Sequence, residues 1–166
     1  KKCDHSPTPI PPNPIPPNPG TGKGIKLGGD KFFRRQNGDR VTIIESSEFS
    51  LFKRYLDNDF PTYNPVINER RTLGFNTLRV WLLNDSVVAF RNGVQQDGIH
   101  PNQYPNFYQR LTEFVDSLPD FIIELTVFTQ TQTLMPNLAD QQEHLNNTAE
   151  AVNGRTNVLL ELVNEN

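Results

Sequence analysis

Short apolar runs alternate with apolar stripes at helical spacing from about residue 40 to the end of the chain. The runs predict four strands, at residues 40–46, 76–83, 121–128 and 157–163. The stripes predict helices at 48–56, 65–75, 105–118 and 137–152. Alternation of this kind predicts parallel strands joined by right-handed crossovers. Two architectures fit the pattern: a doubly wound open sheet and a (β/α)8 barrel.

Local signals mark the ends of the predicted helices. Pro65 suits the first turn of the second helix, and Gly74 suits its end. Gly154 ends the last helix, and Asn37-Gly38 predicts the turn of a short hairpin. The apolar residues of the last helix are expected to face inward; they are Leu138, Leu145, Ala149 and Val152.

The N-terminal residues differ in kind from the rest of the chain. The motif Pro-Ile-Pro-Pro-Asn-Pro is effectively written twice, so residues 1–25 are expected to form an extended polyproline linker or tether. Residues 26–166 would then form the folded domain. Cys3 is the single cysteine, which excludes an internal disulfide framework. Cys3 either carries a lipid that tethers the chain to a surface or is an incidental free thiol.

Composition and charge narrow the function further. The formal net charge is −3, which disfavours nucleic acid as a partner. No apolar stretch reaches the length of a transmembrane segment. His100 and His144 are isolated from other metal-ligand residues, so both are expected on the surface, and neither a metal nor another cofactor is expected.

Polar side chains follow the ends of the predicted strands. Asn84 and Asp85 follow the second strand, Gln130 follows the third, and Asn164-Glu165 follows the fourth. Because the carboxyl ends of parallel strands share one edge, these groups are expected to line one rim. Amides and carboxylates suit sugar hydroxyls, which both donate and accept hydrogen bonds.

Three residues inside or beside the strands have competing interpretations. Arg79 lies within an apolar strand and needs a carboxylate partner, in either a catalytic or a structural ion pair. Trp81 is a candidate platform for sugar stacking, although a tryptophan in such a strand is more often part of the core. Glu48 could reach the site, but capping of the first helix is the simpler interpretation.

The segments LGFNTLRVWL and NVLLELVNEN resemble the clan A glycoside hydrolases, the cellulase- and mannanase-like (β/α)8 enzymes. The resemblance covers residues 26 to 166 and implies the first half of such a barrel. It implies that Glu165 is the general acid/base, that Asn164 binds a sugar hydroxyl, and that Arg79 orients carboxylates in the floor of the site. Asn166 stands where the family usually has proline.

The resemblance also implies a second catalytic glutamate, the nucleophile, after the seventh strand of the barrel. A retaining glycosidase needs two carboxyl groups about 5–5.5 Å apart. No acid in this chain matches the nucleophile, so we expect residues 1–166 to be the N-terminal part of a longer protein and inactive in isolation. The expected activity of the whole is retaining hydrolysis of a β-linked polysaccharide, outside the cell or at its surface.

Two alternatives remain open at this point. A non-catalytic protein could use the same barrel to bind glycans or to build a cell-surface or virus-particle assembly, because a fold does not determine a function. A doubly wound nucleotide-binding domain is disfavoured, since no glycine-rich turn follows the first strand.

Overall fold

A computed structural model describes residues 24–84, 90–91, 94–95 and 98–164. Its strands are β1 (Ile25–Leu27), β2 (Phe33–Arg35), β3 (Glu45–Glu48), β4 (Thr77–Trp81), β5 (Phe90–Arg91), β6 (Val94–Gln95), β7 (Ile122–Phe128) and β8 (Val158–Val163). Its helices are α1 (Leu51–Leu56), α2 (Phe60–Thr72), α3 (Phe107–Asp116), α4 (Thr131–Leu134) and α5 (Leu138–Ala151), with a 3-10 turn at Pro101–Gln103. The proline-rich segment lies outside the described residues, so the division at residue 25 stays a prediction.

The central sheet is parallel and has the strand order β3-β4-β7-β8. Arg79 is in register with Glu124 across β4 and β7, and Thr126 is in register with Glu161 across β7 and β8. Helices connect these strands, as crossovers between parallel strands require. The predicted α/β fold of parallel βαβ units, forming half of a (β/α)8 barrel, is confirmed.

The two faces of the sheet have opposite chemistry. One face carries Leu78, Val80, Ile123 and Leu125, each fully buried beneath side chains of α1, α2 and α3. Because successive side chains of a strand point to opposite faces, the residues between them form the other face. That inner face carries four charged residues, which are Glu45, Arg79, Glu124 and Glu161.

The first strand of this sheet starts later than its sequence pattern predicts. The strand was expected at 40–46, but β3 spans Glu45–Glu48. Arg40 instead pairs with Arg34 in an antiparallel bridge, across a turn in which Gly38 has a φ of +93°. Asn76 then holds the segment that follows, because its side chain accepts from the Ile44 amide at 2.9 Å. The β-branched run is therefore divided between a hairpin and the sheet.

Helix α2 begins earlier than predicted. Its first residue is Phe60, so Pro61 occupies the first turn and Pro65 lies inside the helix. The prediction for Pro65 was therefore wrong. The predicted helix ends are confirmed, because Gly74 and Gly154 adopt φ values of +80° and +77° just after α2 and α5. Glycine is favoured at such left-handed positions.

The predicted inward face of helix α5 is correct in part, because Val152 is buried just after the helix and Leu145 packs against a buried cluster. Leu138, expected to face inward, is 77% exposed, and Ala149 is also exposed. The buried positions of the helix are His144 and Thr148. The apolar spacing missed these two polar residues, of which His144 is held inside by hydrogen bonds.

Candidate functional site

An ion pair on the inner face joins strands β4 and β8. The Nε of Arg79 donates to Glu161 Oε2 at 2.8 Å, and its Nη2 donates to Glu161 Oε1. The same Nη2 donates to Asn164 Oδ1 at 2.9 Å. Arg79 thus has the carboxylate partner that its place in an apolar strand required. It also connects that pair to the residue just after β8.

Strand β7 lies between the two partners and contributes to the same network. The hydroxyl of Thr126 donates to Glu161 Oε2. Although burial acts to raise it, the hydrogen bonds from Arg79 and Thr126 hold the pKa of Glu161 below its ordinary value. Glu161 is therefore a carboxylate at neutral pH, and it serves as the acceptor for two strands.

Two carboxyl groups, those of Glu124 and Glu45, also lie next to each other on this face. Burial, a hydrogen bond with Glu45 and the negative charge of Glu45 raise the pKa of Glu124 from 4.5 to about 7. Arg79 opposes this shift but does not cancel it. The inner face therefore holds one carboxyl group whose protonation changes near neutral pH beside another that remains ionised, Glu161.

Trp81 lies on the inner face but is only 2% exposed. Its ring stacks on Phe49 with centroids 4.2 Å apart, and the Arg79 guanidinium lies 4.7 Å from its centroid. A sugar could stack on the indole only if Phe49 or Arg79 moved. The role of Trp81 in substrate binding stays a prediction.

The rim residues are brought together in part. The backbone N–H of Asn164 donates to Phe128 O at 3.0 Å, so the ends of β7 and β8 lie side by side. Asn84 is buried and pairs through its backbone with Ile99, whereas Gln130 is exposed in a left-handed conformation before α4. Asp85 and Glu165 lie outside the described residues. The substrate-binding and catalytic roles of all these residues stay predictions.

Sequence reasoning missed Glu161 and Glu124. Each is a single acid inside an apolar strand, in the runs Ile122–Phe128 and Val158–Val163. The cost of an unpaired charge, which predicted a partner for Arg79, applies equally to them. Reading all three charges together would have suggested that they share one face.

Glu48 belongs to a structural ion pair rather than to a helix cap. It accepts from Arg70 Nε, and both side chains are only 9% exposed. The Ser46 hydroxyl also donates to Glu48, at 2.8 Å. The prediction of a helix-capping role was wrong, because the carboxylate points to α2 and not to the start of α1.

His144 was expected on the surface but is 1% exposed, so that prediction was wrong. Its ring packs among aromatic side chains, with Phe128 at a centroid distance of 5.5 Å. Across the described ranges, no three His, Cys, Asp or Glu side chains are grouped so as to hold a metal. Within the same ranges, no helix has both the length and the apolar character needed to cross a bilayer.

Three comparisons with known proteins were made, and only solved structures gave matches. No family model matches the chain, and no curated protein matches it. Among solved structures, a mannotriose complex of Thermomonospora fusca β-mannanase matches 86% of this chain at 16% identity, with a TM-score of 0.53. A glycoside hydrolase family 5 protein from Bacteroides vulgatus matches 87% at 12% identity, with a TM-score of 0.57. A Streptomyces thermolilacinus β-mannanase with mannohexaose matches 87% at 16% identity, with a TM-score of 0.51.

These matches cover less than half of the solved chains. The aligned shares are 43% of the T. fusca enzyme, 34% of the B. vulgatus protein and 42% of the S. thermolilacinus enzyme. At these identities the similarity establishes the fold and not the activity. This chain therefore has the fold of half of a (β/α)8 barrel, similar to that of these solved structures, and its four parallel strands are β3, β4, β7 and β8.

Proposed function

We propose that this chain is the N-terminal half of a retaining glycoside hydrolase that acts on a β-linked polysaccharide. The observation that carries the proposal is the hydrogen bond from Arg79 to Asn164 at the carboxyl end of the sheet. Asn164 directly precedes Glu165; this contact holds the Asn164 side chain, and the backbone N–H of Asn164 donates to Phe128 O at 3.0 Å. Active sites of (β/α)8 enzymes lie at this end of the barrel.

In this proposal Glu165 acts as the general acid/base. It first protonates the leaving glycosidic oxygen and then takes a proton from the attacking water. Asn164 binds a sugar hydroxyl, and Arg79 holds Asn164 in place. Asn84, Asp85, Gln130 and Trp81 are proposed to contact substrate on the rim.

The nucleophile is proposed to come from the other half of the barrel. Strands β3 and β8 are the outer strands of the described sheet, and each pairs with a single neighbour. A longer polypeptide would close the barrel between them and bring a second carboxylate to about 5–5.5 Å from Glu165. A β-mannan is the first substrate to test, because the T. fusca and S. thermolilacinus proteins named above are β-mannanases.

Export and tethering through residues 1–25 are part of the proposal. Cys3 would carry the anchor, and the proline-rich segment would act as the spacer. Intact mass spectrometry of the protein from its native membrane fraction tests this directly. A lipid mass on Cys3 supports the tether, and an unmodified thiol contradicts it.

The activity is tested on manno-oligosaccharides that range in length from mannotriose to mannohexaose. Their hydrolysis is measured with the protein that contains residues 1–166 and the rest of the barrel. Proton NMR of the first product formed should show the β-anomer, as retention requires. Release of the α-anomer would contradict a retaining mechanism. Binding of mannohexaose without hydrolysis would instead favour the alternative, a non-catalytic glycan-binding or surface-assembly protein.

A further inference from the structure

A cavity lies away from the inner face of the sheet, between the starts of α3 and α5. Its walls come from the 3-10 turn Pro101–Gln103, the first turn of α3, the segment 134–136 and the first two turns of α5. The described residues enclose a volume of about 560 Å³. Small-molecule sites commonly have volumes of roughly 300–1,000 Å³.

Hydrogen bonds hold the walls of this cavity in place. The ring of His100 contacts Leu134 O through Nε2 at 3.1 Å, which joins the 3-10 turn to the segment after α4. The Tyr104 hydroxyl donates to Asp57 Oδ1 at 2.9 Å, which fixes that ring against the end of α1. A cavity built in this way is preformed, so a ligand does not have to order it.

Both histidines in the walls use all of their hydrogen-bonding capacity. A carbonyl only accepts, so His144 must donate from Nε2 to Val127 O at 3.2 Å, and its Nδ1 accepts from the Tyr108 hydroxyl at 2.9 Å. Burial lowers the pKa of His144 to about 4, which keeps it neutral. His100 likewise donates from Nε2 and accepts the Asn102 amide at Nδ1. Neither ring has a proton left for a ligand.

The charge in the cavity comes from two carboxylates. Asp140 and Glu143 lie exposed at its mouth on α5. Neither forms an ion pair with another described residue. Tyr104 and Tyr108 add aromatic surface to the walls. The lining therefore combines two carboxylates with aromatic side chains, and it suits a ligand that donates hydrogen bonds and carries positive charge.

We infer that this cavity binds a sugar unit that carries a free amino group. An ammonium group is attracted both by carboxylates and by the faces of aromatic rings. A uronic acid of the same size would be repelled by Asp140 and Glu143. The choice of a sugar rests on the proposed function, whereas the requirement for an amino group rests on the cavity alone.

The test compares two ligands that differ in that group. The full chain is titrated at pH 6 with the β-linked glucosamine trimer and with its N-acetylated counterpart, and binding is followed by amide NMR and calorimetry. N-acetylation keeps the sugar ring and removes the charge. We expect the glucosamine trimer to shift amides in residues 100–108 and 140–144, and to bind at least tenfold more tightly. Equal affinities, or no shifts in these residues with either trimer, would overturn the inference.

Substitutions at the mouth of the cavity supply the second measurement. Asp140→Asn and Glu143→Gln are expected to weaken binding of the glucosamine trimer by several-fold each, with folding unchanged because both side chains are exposed. Glu150→Gln, an exposed acid further along α5, is the matched control and should bind like the wild type. Unchanged affinity in the Asp140→Asn, Glu143→Gln double variant would overturn the inference. A Glu165 variant separates this inference from the proposed function. Its hydrolysis tests the proposed function, whereas its binding of the glucosamine trimer should equal that of the wild type.

Discussion

Arg79 on β4 binds the carboxylate of Glu161 on β8 across the intervening strand β7, and the two residues are 82 positions apart in the chain. Thr126 of β7 joins the pair, so three of the four strands of the parallel sheet meet in one hydrogen-bonded group. The group stabilises the inner face and also fixes Asn164. It thereby connects the assembly of the sheet to the geometry of its carboxyl end.

Breaking this pair should destabilise the fold measurably. The Arg79 and Glu161 side chains are 21% and 24% exposed, so screening by water is limited. We expect Arg79→Met to lower the free energy of unfolding by about 1.5–3 kcal/mol, the range for hydrogen bonds to charged groups. Urea denaturation measures it. Arg71→Met, which removes a more exposed ion pair with Asp120, is the control, with an expected loss below about 1 kcal/mol. Equal losses in both variants would contradict the special role of the inner pair.

The Glu124–Glu45 pair should make stability depend on pH. The folded-state pKa of Glu124 is about 7 and its ordinary value is 4.5. Between these pH values the folded protein keeps a proton that the unfolded chain has lost, so the free energy of unfolding falls as the pH rises. His144, with a pKa lowered to about 4, produces the opposite slope below its ordinary value of 6.5.

Glu124→Gln separates the two effects, because it mimics the protonated acid and leaves His144 in place. Relative to the wild type, this variant should gain stability as the pH is raised from 4.5 to 8, as measured by urea denaturation at each pH. Glu150→Gln should show the wild-type dependence. A constant difference between Glu124→Gln and the wild type over this range would show that Glu124 does not titrate as described.

The buried pair between Glu48 and Arg70 should contribute more than any exposed pair. Glu48→Ala leaves a guanidinium that is 9% exposed without its buried partner, while Glu69 still contacts it from the surface. We expect a loss of about 3 kcal/mol, the lower end of the range for breaking a buried pair. Thermal and urea unfolding measure it. Glu69→Ala, at a side chain that is 54% exposed, is the control and should cost less than about 1 kcal/mol.

The order of strands and helices in the parallel sheet could be predicted because β4, β7 and β8 are compact apolar runs flanked by turn residues. Gly74 and Gly154 marked helix ends correctly, since few other residues tolerate a left-handed backbone. Strand β3 was misplaced because its own residues, Glu45–Glu48, are polar and only their neighbours are β-branched. The bounds of β3 are set by its pairing with β4, and pairing between distant segments cannot be detected in a local sequence pattern.

The polar interior was harder to predict than the fold. His144 gave no local signal of burial, because its partners Val127 and Tyr108 lie 17 and 36 residues away. A carboxylate partner was predicted for Arg79, but the residue that supplies it was not. Glu161 carried a usable signal as a lone acid in an apolar run, and the same is true of Glu124.

Residues 1–166 alone are expected to show no glycosidase activity. The proposed mechanism needs a second carboxylate from the other half of the barrel. Purified residues 1–166 should release no reducing sugar from mannohexaose above a buffer blank, while the full-length protein does so. Hydrolysis by the isolated chain at a rate close to that of the full-length protein would show that the second half supplies no essential group.

The most direct test of the proposed function is the turnover of Glu165→Gln in the full-length protein. Removing a general acid/base should lower kcat on mannohexaose by about 10²–10⁴-fold, with KM and the free energy of unfolding little changed. The loss in kcat/KM should be smaller on a dinitrophenyl glycoside, whose leaving group does not need a proton, and Glu150→Gln should be fully active. A kcat for Glu165→Gln within twofold of the wild type on mannohexaose would contradict the account.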